Sequence, residues 1–126
     1  MSAGHEVEIR WADLDGFGHA SHRAYVDFLE EGRGAFFDGL IGEEHRRTLT
    51  IRRLAIDYLA QVTQADDRVR VVVRISSLAE GSVTTAEEVY SAADGRLAAQ
   101  ATCELVTSSP AAMAALRAVD AQAQNG

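Results

Sequence analysis

Residues 7–33, VEIRWADLDGFGHASHRAYVDFLEEGR, decide how the rest of the chain is read. Val7, Ile9 and Trp11 alternate with Glu8 and Arg10, the period-two pattern of a half-buried strand expected over residues 5–11. Residues 12–21 break every periodicity with glycines and two aspartates, and read as a loop feeding a helix. Over residues 22–40, Tyr25, Phe28, Leu29, Phe36 and Leu40 recur at helical spacing, with Asp27, Glu30, Glu31, Arg33 and Asp38 between them. One long amphipathic helix is expected there. Gly32 and Gly34 inside it each cost about 1 kcal/mol relative to Ala, so close packing against a sheet is the reason expected for both. Gly39 and Gly42 supply the stop.

Downstream, residues 49–58 carry two alternating runs, Leu49 with Ile51 and Leu54 with Ile56 and Tyr58, out of phase around Arg52 and Arg53 as in a bulged strand. Residues 69–75, 83–90 and 97–106 are three further strands, and Ala79-Glu80-Gly81 and Asp94-Gly95 are turns that make their pairing antiparallel. Residues 110–126 form an Ala-rich tail in which Met113, Leu116 and Val119 make a short helical stripe before a frayed end. The order of strand, long helix and four strands gives an α+β class, one central helix on an antiparallel sheet of about five strands, in a single domain over residues 1–126. One helix covers one face of such a sheet, so a second copy is expected to extend the sheet or pack helix on helix, as a homodimer at least.

Composition removes whole classes of function. Twelve Lys and Arg against nineteen Asp and Glu leave a net charge of −7, which repels a phosphate backbone and excludes nucleic acid as the expected partner. Cys103 is the only cysteine, so neither an internal disulfide nor a cysteine zinc site is expected, and no metal or cofactor is called for. No apolar run reaches the roughly 20 residues that span a bilayer, and residues 1–10 lack a basic stretch followed by an apolar one. No membrane association and a cytoplasmic location are expected.

The same opening segment resembles that of hot-dog-fold acyl-CoA thioesterases of the 4-hydroxybenzoyl-CoA thioesterase class. Asp13, Asp15, Gly18, His19, Tyr25, Glu30 and Arg33 follow that pattern in order and spacing, and Ile56-Asp57-Tyr58-Leu59 before Asp66-Asp67 is similar to its second strand and turn. The chain departs from it at Ser21-His22, where the family often has Asn-Asn, and at Gln61 and Ala65, where Pro and Gly are usual. The resemblance implies a hot-dog fold, an acyl-CoA substrate, a homodimer or dimer of dimers, and Asp15 as nucleophile or general base on the thioester.

Elementary chemistry suits that role. Asp15 precedes a helix start, where unpaired N–H groups near Ser21 and His22 can polarise a carbonyl and stabilise an oxyanion. A thiolate leaving group, with a pKa of roughly 8.5, needs little protonation, so the absence of a Gly-x-Ser-x-Gly elbow is consistent. Gly18, His19, Ser21, His22 and Tyr25 are the expected substrate or oxyanion residues around Asp15. Each also has a plainer role: an aspartate before a helix caps it, His19 bonds backbone where the functional reading has it orient substrate or contact Glu30, Tyr25 fills core, and Glu30 pairs with Arg33. Arg52, Arg53 and Arg74, with Arg46 and Arg47, are weak candidates for the coenzyme A phosphates. Two rival readings stay open: a hydratase or dehydratase acting on acyl-CoA or acyl-carrier protein, and a non-catalytic acyl-CoA binding protein.

Overall fold

The computed structural model describes residues 4–125, with side chains through residue 122. Strand β1 (His5–Glu8) leads through a 3₁₀ turn at Trp11–Asp13 into helix α1 (His22–Ile41) and a short helix α2 (Glu43–Arg46). Strand β2 (Thr50–Tyr58), a second 3₁₀ turn at Gln64–Asp66, strands β3 (Arg68–Ala79), β4 (Ser82–Ser91) and β5 (Leu97–Val106), and helix α3 (Pro110–Asn125) follow. The strands form one antiparallel sheet in the order β1-β3-β4-β5-β2, the arrangement of a hot-dog fold, with α1 packed on it. No described helix is long and apolar enough to cross a membrane.

The apolar stripe of α1 explains where it lies. Tyr25, Phe28 and Leu29 are buried against Val69, Val71, Val89 and Ala99, while Phe37 joins Val83, Cys103 and Leu105 in a second cluster. A Cβ on Gly32 would collide with the side chain of Val71, 2.6 Å from its Cβ, so this glycine lets the helix approach β3. Gly34 differs from expectation, because nothing lies within 4 Å of a Cβ there and the residue faces a cleft instead of the sheet. Gly42 alone ends α1, with φ 86° and its N–H donated to the Asp38 carbonyl, whereas Gly39 stays inside the helix.

Three further expectations change. The first strand stops at Glu8 and Trp11 is 85% exposed, because Asp13 accepts the Arg10 N–H at 2.8 Å and closes a turn that interrupts the alternation. Arg33 does not pair with Glu30. It reaches the sheet and makes a bidentate pair with Glu87, both bonds 2.7 Å long, and Thr85 donates to the same carboxylate at 2.6 Å. The C-terminal segment is a sixteen-residue helix, not a short stripe with a frayed end: Ala112, Met113 and Leu116 are buried, and the latter two join the second cluster, which the apolar residues of α1 do not fill alone. The bulge expected around Arg52 and Arg53 is present as a register shift between Ile51 and Arg53.

The sheet face opposite α1 is mostly polar. Arg74, Ala86, Thr102 and Ala55 form one cross-strand row and Val72, Glu88, Gln100 and Asp57 the next, a surface that an antiparallel sheet can present to water. Of the exposed large apolar side chains, Ile51, Tyr58 and Leu59 lie at the two ends of the edge strand β2, while Trp11 and Phe17 lie between β1 and α1.

Because Arg33 and Glu87 are 4% and 1% exposed, removing either partner leaves a buried charge or fork unsatisfied. Glu87→Gln and Arg33→Met are each expected to lower unfolding free energy by about 3–5 kcal/mol in urea titrations, while the apolar double variant Arg33→Met/Glu87→Leu recovers most of that loss.

Candidate active site

Asp15 opens a tight turn, one residue beyond the bridge between Leu14 and Ala20. Its N–H donates to the His19 carbonyl at 2.7 Å, and the turn closes through Gly18, which adopts φ 81° and donates to the Asp15 carbonyl. A left-handed residue is required there, which is why glycine stands at position 18. The Asp15 carboxylate accepts the N–H groups of Phe17 at 2.8 Å and His19 at 3.1 Å, both on Oδ1. Those two backbone bonds hold its carboxyl below the ordinary 3.8, and the nearby His19 and His22 act weakly in the same direction. Asp15 is therefore a carboxylate at every physiological pH.

Asp13 is the structural member of the pair. It is buried, it bonds the Arg10 N–H and guanidinium, and its carbonyl accepts the Ser21 N–H at 2.8 Å. Ser21 caps α1 through its hydroxyl, which accepts from the Ala24 N–H at 3.3 Å. The Ser21 N–H is thus committed to Asp13, and among the described residues the N–H groups of His22 and Arg23 are the first-turn donors with no backbone partner.

A cleft of about 290 Å³ opens beside Asp15 and brings His19, His22 and Tyr25 together with Tyr58, Leu59 and Gln61. The His22 and Tyr58 rings lie 4.8 Å apart, and Tyr25 meets Tyr58 edge to face at 5.2 Å. Tyr25 is both core and wall, since it is 3% exposed and its hydroxyl donates to the Ala60 carbonyl. Gly18 and Ser21 shape the loop and the cap without lining the cleft. The wall from Tyr58 to Gln61 went unread as a site in the sequence; its one signal is an aromatic at the last position of β2, directly before a turn.

The arginines lie apart. Arg52 pairs with Glu104 at 3.0 Å, Arg53 is exposed, and Arg74 lines a depression on the polar face of the sheet. Arg46 and Arg47 border a second cleft of about 310 Å³ with Glu30, Arg33, Leu49 and Ile51, and there they pair with Asp38 and Glu43. Among the described residues no three His, Cys, Asp or Glu side chains converge as a metal site requires. Cys103 is a buried thiol whose pKa burial pushes up to about 11.

Residues 9–109 match the family model described as the thioesterase-like superfamily. No curated protein matches the chain. Among solved structures, a thioesterase from Thermus thermophilus complexed with coenzyme A and Zn is similar at 24% identity, over 93% of this chain and 92% of that one, with a TM-score of 0.79. A hypothetical protein, also from Thermus thermophilus, is similar at 20% identity over 94% and 98%, with a TM-score of 0.81. A 1,4-dihydroxy-2-naphthoyl-CoA thioesterase from Synechocystis is similar at 19% identity over 81% and 78%, with a TM-score of 0.69.

The cap makes a local forecast. Ser21→Ala is expected to cost about 1 kcal/mol of stability in thermal melts, and Ser21→Asp to retain it.

Proposed function

The chain belongs to the thioesterase-like superfamily, and from that premise we propose that it hydrolyses acyl-coenzyme A thioesters, with Asp15 as the reacting carboxylate. The observation that carries the reading is the setting of Asp15: an ionised carboxylate, anchored by two backbone N–H groups through one oxygen, at the cleft beside the start of α1. Among the described residues its other oxygen accepts no hydrogen bond. In this reading the thioester carbonyl points at the N–H groups of His22 and Arg23, whose positive helix end stabilises the oxyanion as it forms. The carboxylate attacks the carbonyl carbon, the C–S bond breaks, the thiolate of coenzyme A leaves, and water then cleaves the resulting acyl anhydride into acid and free Asp15. A pKa below the ordinary range keeps Asp15 ionised, so in this reading it acts without prior loss of a proton. The aromatic wall of Tyr25 and Tyr58 suits an apolar acyl group.

The assembly proposed with it is a homodimer joined along the free edge of β2. Antiparallel pairing of two copies of β2 about a twofold axis brings the Tyr58 end of one strand beside the Thr50 end of the other, covering Ile51, Tyr58 and Leu59. The Asp15 cleft of one copy then adjoins the Arg46–Arg47 cleft of the other, which offers guanidinium groups for the coenzyme phosphates.

The test is thiol release from a panel of aromatic and straight-chain acyl-CoAs, with oligomeric state followed by light scattering. Asp15→Asn is expected to lose at least about a hundredfold in kcat/KM, equivalent to roughly 2.7 kcal/mol of transition-state stabilisation, with its dimer and melting temperature unchanged. Binding of these thioesters with no thiol release by the wild type is the result that removes the hydrolase reading.

A further inference from the structure

Arg96 lies in the turn between β4 and β5, outside the cleft, yet it holds the cleft's far wall. One of its terminal nitrogens, Nη2, donates to the Gln61 carbonyl at 2.7 Å and to both oxygens of Asp66 at 3.0 and 2.9 Å, and Nη1 donates to Asp94 at 2.7 Å. Asp66 is 7% exposed and also accepts the Thr63 N–H at 2.8 Å and the Ser91 hydroxyl at 2.7 Å. Burial works against its charge, but these donors outweigh burial and keep the carboxyl below its ordinary range.

The wall is tied to the Asp15 loop as well. Ala20 donates to the Val62 carbonyl at 2.7 Å, His19 bridges to Thr63, and Tyr25 donates to the Ala60 carbonyl at 3.3 Å. Next to it, Asp67 holds φ 64°, the one positive φ among described non-glycine residues, and its carbonyl accepts the Ile9 N–H at 2.8 Å. Segment 58–67 thus lies between the loop that carries Asp15 on one side and Arg96, bound to its Gln61 carbonyl and Asp66 carboxylate, on the other.

We propose that Arg96 is a positioning residue of the Asp15 cleft: its guanidinium, shared between Gln61 and Asp66, sets the distance between the Tyr58–Gln61 wall and the Asp15 loop. The consequence for turnover rests on the thioesterase reading above. The fold itself depends less on this side chain, which is 35% exposed, because Val62 at 0% exposure anchors the same segment. Displacing a wall by an ångström misaligns the reacting carbon without emptying the cleft, so the loss falls on kcat more than on KM.

Arg96→Gln and Arg96→Lys answer this with two readouts, both measured against wild type. Amide hydrogen exchange is expected to quicken at least about tenfold at Ala20 in Arg96→Gln, with the amides of Val71 and Val89 unchanged. In thiol release kcat is expected to fall about tenfold to a hundredfold with KM within about threefold, and Arg96→Lys, which keeps the charge without the fork, is expected to fall between. Unchanged exchange at Ala20 overturns the proposal whatever the enzyme does, and so does quickened exchange with an unchanged kcat. Quickened exchange in a protein whose wild type releases no thiol removes the thioesterase reading and leaves the positioning role of Arg96 in place.

Discussion

The apolar stripe of α1 binds it to the sheet, and one buried ion pair fixes where along the sheet it sits, which sets the position of the site. Arg33 follows Gly32, where a Cβ would collide with Val71 of β3, and grips Glu87 on the central strand β4. An apolar contact could slide along the sheet, whereas a bidentate pair backed by Thr85 has one register. Burying such a pair gains little net stability over an apolar substitute, so its role here is specification of that register. With the middle of α1 fixed, its first turn lies at the sheet end where β2 finishes, and the loop before it must deliver Asp15 into the cleft.

The loop then works by local rules. Asp13 closes the 3₁₀ turn and accepts the Ser21 N–H, and Ser21 caps the helix. Asp15 gathers the Phe17 and His19 N–H groups. Two aspartates two residues apart thus have opposite fates: one is buried as a brace, and the other is exposed and charged at the start of the turn. Environment separates them, since both are the same side chain.

Much of this was legible from periodicity. The long helix, the antiparallel strands, the bulge near Arg52 and the close approach at Gly32 each follow from spacing or from a residue that only one geometry tolerates. What escaped depends on partners far along the chain. Arg33 looked paired with Glu30 because helical spacing shows only local neighbours, and Glu87 is fifty-four residues away. The burial of α3 was hidden for the same reason, because its weak stripe becomes core only against Phe37 and Leu105. The Tyr58–Gln61 wall follows β2, and only the sheet order brings the end of that strand to the start of α1.

In the proposed reaction a backbone-anchored carboxylate, and neither of the two imidazoles beside it, attacks the thioester. The most direct test is the pH dependence of kcat/KM between about pH 5 and 8, followed by loss of the thioester absorbance. With Asp15 held below 3.8, the acid side of the profile is expected to stay flat across that whole range. An inflection inside that range would overturn the role of Asp15 and assign the chemistry to a group that gains its proton there.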